Sequence, residues 1–357
     1  MHDGDDALTR IDEDFRSGAR IARAPPTRFH VNLSERCQVR CAHCITGAPE
    51  KTANKTARDL GAHVLERLAP HLAHARYIGL THAGEPVIAP LFDAFLDAVR
   101  DARAGAPTIV HLLTNGMAMT EARFLDVTAR GVRSLSFSLD GMRAESNDLI
   151  RIGTKVETLL PRIRALAALR KERVLDVRMG ISTVVTTASI DELASLVDFA
   201  ADCGLDWLKL EELYATAPHL EALVPDAHQT QRAVATARAH GMKRGLTVVD
   251  HVSPMVVWKC QLMLDKRMRA ASEGDDHANR VDINPCRLPW EQVCIEPDGA
   301  VRPVSFHHDI AGSLVDEDLM SLFNNAVFQR VREETVRGRL CGNGPATCAR
   351  DPGPLAW

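Results

Sequence analysis

From residue 27 to about residue 215, short apolar runs alternate with longer stretches whose apolar side chains recur every three or four positions. The short runs, at 28–33, 77–81, 108–113, 134–139, 177–185 and 207–210, read as strands. Between them, residues 60–71, 91–103, 120–129, 156–171 and 190–201 carry the period of amphipathic helices. Six such β-α repeats predict a parallel sheet with helices outside, and ligands bind such sheets at the carboxyl ends of the strands. Periodicity leaves open whether the sheet closes. Residues 1–26 are polar, acidic at first, and end in Ala24-Pro25-Pro26, which predicts an extended arm. Residues 216–281 read as a connecting region with a helix over 225–238 and a short strand over 246–249. A smaller unit is expected over 282–357, built from a hairpin turned at Pro297-Asp298-Gly299 and a helix over 319–332.

The first predicted strand is followed by Cys37-Gln38-Val39-Arg40-Cys41-Ala42-His43-Cys44, at the end of the sheet where a ligand belongs. Thiolate is the ligand that iron–sulfur clusters prefer. Three thiolates hold three irons of a cubane and leave the fourth open to a small molecule. The competing reading is a zinc knuckle, but zinc sites usually bring two C-x2-C pairs or histidines in helical register. Only His43 lies inside this loop.

The spacing C-x3-C-x-Φ-C resembles that of the radical S-adenosylmethionine (SAM) enzymes, with His43 in the place usually held by an aromatic residue. The resemblance implies an α/β fold, a partial (β/α)6 TIM barrel over residues 27–215, open on one side to admit substrate. It implies a [4Fe-4S] cluster on Cys37, Cys41 and Cys44, with SAM chelating the open iron. An electron from the cluster would cleave SAM to a 5′-deoxyadenosyl radical that takes a hydrogen atom from the substrate. His82-Ala83-Gly84-Glu85-Pro86 follows the second strand where the family has its GGEP segment, so Gly84, Glu85 and Pro86 are expected at the SAM amino group, although Ala83 replaces the first glycine. Taken alone, the segment is also a strand-ending turn. Ser138 and Arg151 match family positions that contact the SAM carboxylate or ribose; Arg151 reads equally well as a solvated helix residue. Lys209 and Glu211 alternate with leucines and share one strand face, pointing toward substrate or pairing with each other.

Four further cysteines lie beyond residue 281. Cys286, Gly299, Cys341 and Cys348 follow in an order that resembles the SPASM/Twitch extension of these enzymes, which implies a second, auxiliary [4Fe-4S] cluster in the 282–357 unit. Val304 stands where the pattern has another cysteine, leaving Cys286, Cys341 and Cys348 as ligands and a fourth unassigned. Cys260 is the first candidate, ahead of His307 and His308. Cys260 has a second role open to it, that of a catalytic thiol returning a hydrogen atom to the substrate radical. Cys203 and Cys294 read as packing cysteines.

Composition narrows the class. Across 357 residues, 45% are hydrophobic and 25% charged, with a formal net charge of −4 and 4% aromatic residues. No basic tract or stacking surface suits a nucleic acid, and no apolar run has the length of a membrane span. Nine cysteines with no secretion signal predict metal or redox use in the cytoplasm. The expected activity is that of an oxidoreductase or epimerase of natural-product biosynthesis, supplied with electrons by a donor such as flavodoxin or ferredoxin. Some 26 residues precede the barrel, fewer than the leader-binding domain many peptide-modifying relatives carry there. The expectation is therefore a small substrate, an aminocyclitol, sugar or nucleoside, undergoing dehydrogenation or epimerisation. A ribosomal peptide undergoing epimerisation or cross-linking is the alternative, and a non-enzymatic iron–sulfur or zinc protein is the alternative of another class.

Overall fold

The computed structural model describes residues 3–103, 107–252 and 286–336. In chain order its strands are β1 (Arg28–Val31), β2 (Arg40–Cys41), β3 (Tyr77–Leu80), β4 (Ile109–Thr114), β5 (Val132–Ser138), β6 (Arg151–Ile152), β7 (Arg178–Val185), β8 (Trp207–Glu212), β9 (Thr247–His251), β10 (Gln292–Ile295), β11 (Ala300–Pro303) and β12 (Gly312–Ser313). Ten of them form one sheet in the order β12-β11-β10-β1-β3-β4-β5-β7-β8-β9, while β2 and β6 pair separately. From β10 across to β9 every neighbouring pair is parallel. At one edge β11 runs antiparallel to both its neighbours, β10 and β12. The six expected strands and the five helices between them are present.

Alternation along the strands explains how this sheet is filled. Phe29 and Val31 of β1, and Val110 and Leu112 of β4, are buried in the main core, under helices such as Phe92–Arg103 and Val156–Glu172. Their neighbours Arg28, His30 and His111 face the other way and line an interior cavity of about 340 Å³. Gln292 of β10 and His251 of β9 lie far apart in strand order yet line this same cavity. The parallel run therefore curls into an open barrel with a polar interior.

Four expectations change. Residues 1–26 do not form an extended arm: Asp3–Ser17 is a helix. Ala7, Leu8, Ile11 and Phe15 make an apolar stripe that packs on Trp290, with the Phe15 and Trp290 rings 5.6 Å apart edge to face. The described part of 216–281 does more than connect, because β9 adds a parallel strand and the helix Ala227–Arg244 packs beside it. Nor does 282–357 begin a separate sheet, since β10 pairs with β1 over Arg28–Val31. The predicted helix over 319–332 is two, Leu319–Phe323 and Ala326–Val336, separated at Asn324 and Asn325. Arg332 ties these ends together. Fully buried, it donates to the carbonyls of Pro289 at 3.0 Å, Arg20 at 2.8 Å and Phe323 at 2.8 Å.

Candidate functional site

The carboxyl ends of the parallel strands surround a second cavity of about 330 Å³. After β1 comes the cysteine loop, and Cys37, Cys41 and Cys44, all half-buried, line this cavity. After β3 come His82, Gly84, Glu85 and Pro86; β4 contributes Thr114 and Asn115, β5 Ser138, and β8 Glu211 and Glu212. Thr81, Leu113, Ser182 and Glu211 line both this cavity and the interior one, so the two adjoin.

The cysteine loop is held from several sides. Cys37 N–H donates to Thr52 Oγ1 at 3.1 Å, and β2 pairs with β6 so that Cys41 lies opposite Arg151. At its base Glu35, buried, accepts from Lys51 at 2.7 Å and from Arg58. Burial pushes this carboxyl up, but Arg58 and Lys51 outweigh it and hold it at about 2. Each sulfur has its own polar neighbour: Asn115 Nδ2 at 3.7 Å from Cys37, Arg151 Nη1 at 3.8 Å from Cys41, and Thr46 Oγ1 at 3.3 Å from Cys44.

Among the described residues no three His, Cys, Asp or Glu side chains converge as a single metal ion requires. A tetrahedral zinc draws its ligands to about 2.3 Å of one point, whereas a cubane asks each thiolate for a different iron. Three cysteines lining one cavity supply the donor set that such a cubane asks for. Burial pushes the Cys37 thiol up to about 12, with the charges of Glu85 and the other cysteines adding to it, and raises the Cys41 thiol as well. Metal uptake here therefore releases protons.

Gly84 sits at φ +61°, and a Cβ there would stand 2.3 Å from the Ser34 carbonyl oxygen and 2.5 Å from that of Arg36. This contact brings the segment after β3 against the cysteine loop, and Glu85 N–H donates to Arg36 O at 2.7 Å. The Glu85 carboxylate is 1% exposed and accepts from Thr114 Oγ1 at 2.6 Å, Asn115 N–H at 2.8 Å and Val87 N–H at 3.4 Å. Burial outweighs these donors and raises its pKa to about 7.

Of the expected SAM contacts, Gly84, Glu85, Pro86, Ser138 and Arg151 all line the cavity. Arg151 is not solvated: it is 8% exposed and lies against Asp140, with Nη2 2.8 Å from Oδ1. Lys209 and Glu211 do pair, and both line the interior cavity. Cys286 is buried against Val304 and Val331, which places it beside the residue standing where the extension pattern has a cysteine. His308 is buried, and its Nε2 has no hydrogen-bond partner among the described residues. Cys260, Cys341 and Cys348 lie outside the described residues. Cys294 is buried in β10.

Two groups escaped sequence reasoning. Asn115 and Asp140 were legible only as turn formers after β4 and β5, yet one donates to a cysteine-loop sulfur and the other is fully buried, beside His43 of that loop. The signal that could have found them is their place, the residue just past a strand end, facing the cysteines.

Residues 31–200 match the Radical SAM superfamily model. The chain is 28% identical over 340 residues to the AdoMet-dependent heme synthase of Methanosarcina barkeri, covering 87% of this chain and 86% of that protein. It is 26% identical over 289 residues to the PqqA peptide cyclase of Streptomyces rochei, covering 78% and 73%. The fold matches that of Streptococcus suis SuiB bound to S-adenosylmethionine at a TM-score of 0.64, 14% identity, and 92% and 72% coverage.

Proposed function

From the premise that this chain is a radical SAM enzyme with a [4Fe-4S] cluster and SAM as its cofactors, we propose that it removes a hydrogen atom from a compact small molecule held in the barrel interior. The observation that carries this reading is the pair of adjoining cavities, one ringed by Cys37, Cys41 and Cys44, the other enclosed by polar strand residues. Bound together, cluster and SAM supply an electron and a carbon radical able to abstract hydrogen from an unactivated position. In this reading Cys37, Cys41 and Cys44 hold the cluster, and Gly84 lets the backbone approach SAM. Glu85 orients the SAM amino group, and Ser138 borders the SAM carboxylate. Lys209, Glu211, His30 and His111 offer charged and hydrogen-bonding groups to a substrate. The interior cavity of about 340 Å³ lies at the small end of ligand sites, which favours a sugar-sized or cyclitol-sized molecule, dehydrogenated or epimerised. A heme synthase among the relatives supports a non-peptide substrate.

The second reading, maturation of a ribosomal peptide, is favoured by the likeness to a PqqA peptide cyclase. An anaerobic assay separates the two. Cell extract is passed through a low-molecular-weight filter or digested with protease, and the stimulation of 5′-deoxyadenosine formation is followed. Stimulation that passes the filter and survives protease supports the small molecule. Stimulation destroyed by protease shifts the assignment to a peptide. We further propose one auxiliary cluster on Cys286, Cys341 and Cys348, with Cys260 as fourth ligand or hydrogen donor. That gives about eight irons per chain, the sum of two cubanes, where a single cluster gives about four.

A further inference from the structure

The three cluster-loop sulfurs differ in what approaches them. Cys37 faces the neutral amide of Asn115 and Cys44 the hydroxyl of Thr46, while Cys41 faces a guanidinium, Arg151 Nη1 at 3.8 Å. That cation is buried and not solvated. Its backbone is fixed by the β2–β6 pairing that sets Arg151 opposite Cys41, and by Arg151 N–H donating to Asn147 O at 2.7 Å. Its fork engages Asp140, with Nη2 2.8 Å from Oδ1 and Nε 2.7 Å from Oδ2. Asp140 is fully buried, takes Val184 N–H at 2.9 Å, and lies 2.7 Å from His43 Nε2. His43 sits between Cys41 and Cys44, in the place where the cysteine motif usually has an aromatic residue. One buried carboxylate therefore holds both the cation behind Cys41 and a ring within the cysteine loop itself.

We propose that Arg151, Asp140 and His43 form a positioning unit that fixes Cys41 and sets the reduction potential of the cluster, with Arg151 acting on the cluster ligand and not on SAM. This rests on Cys37, Cys41 and Cys44 holding the cluster. Reduction adds a negative charge to the irons and their thiolates, and a buried cation at one of those thiolates stabilises the reduced form in a low-dielectric setting. Asp140 offsets part of that field while keeping the guanidinium in place. Replacing Arg151 with a neutral side chain removes the nearer charge and leaves the carboxylate, so the cluster becomes harder to reduce.

The test is a potentiometric titration of the anaerobically reconstituted enzyme without SAM, followed by EPR. The cluster is identified in parallel samples as the one whose signal responds to SAM. For Arg151→Met with wild-type iron content, the midpoint should fall by roughly 59 mV or more, a tenfold change in a one-electron equilibrium. Arg151→Lys, which keeps the charge without the fork, should fall less. Asp140→Asn, which frees the guanidinium of its counter-charge, should shift upward. If Arg151→Met does not load iron, the lysine and asparagine variants decide. Midpoints equal to wild type in the variants that load, with SAM affinity lost in Arg151→Lys, would overturn the inference and make Arg151 a SAM ligand. A wild type that takes up no iron would instead overturn the cluster assignment beneath it, and this inference with it.

Discussion

Glu85 is a buried carboxyl whose surroundings move it well away from its chemistry in water. A carboxyl with an ordinary value of 4.5 is pushed to about 7 by burial, against the pull of Thr114, Asn115 and Val87. Between these two values the folded chain binds more protons than the unfolded one, so stability falls as pH rises from about 4.5 to about 7, at up to about 1.4 kcal/mol per pH unit. Glu85→Gln should flatten that slope in urea melts of the metal-free protein; an unchanged slope would assign the effect elsewhere. With SAM, the proposed charge-assisted contact to the amino group favours the ionised form. Affinity should then weaken below about pH 7, and Glu85→Gln should cost roughly ten- to hundredfold, about 1.5–3 kcal/mol, read by calorimetry on cluster-loaded protein. Cys37, Cys41 and Cys44 were legible because their spacing is local. The surroundings of Arg151 were not: Asp140 reads as an ordinary Asp-Gly turn, and its partner His43 lies 97 residues away in the chain.

At the scale of elements, the strands and helices of residues 28–202 were readable because each carries its own period, clearest in the alternation of β4. The helix Asp3–Ser17 was not, because its acidic start masks a stripe of Leu8, Ile11 and Phe15 whose partner Trp290 belongs to the far end of the chain. The pairing of β10 with β1 also has no local signal, since its hydrogen bonds join segments more than 250 residues apart. Arg332 makes that closure expensive to lose. Its guanidinium is fully buried and bonded to three carbonyls and to Asn324 Oδ1, and burial lowers its pKa to about 10. Arg332→Met keeps the bulk but strands those acceptors, so it should destabilise the protein by about 3 kcal/mol, seen as a lower urea midpoint at unchanged slope. A loss under about 0.5 kcal/mol, the range of ordinary surface substitutions, would show that the N- and C-terminal helices do not depend on this tie.

The described residues form an open barrel whose carboxyl end carries the cysteine loop and whose interior carries the polar cavity beneath it. Its fold class was readable from the β-α alternation, and the partial barrel from the resemblance carried by the cysteine spacing; the places of β9 and β10 in the sheet were not, because both fall in segments expected to connect or to stand apart. No helix among the described residues is long and apolar enough to cross a membrane. Cys37, Cys41 and Cys44 are proposed to carry the cluster that cleaves SAM, each thiolate holding one iron. The most direct measurement is 5′-deoxyadenosine formation from SAM under anaerobic, reducing conditions, comparing the reconstituted wild type with the variant in which all three cysteines are alanine. Steady formation by the wild type and none by the variant is the expected result. Undiminished formation by the variant would contradict it.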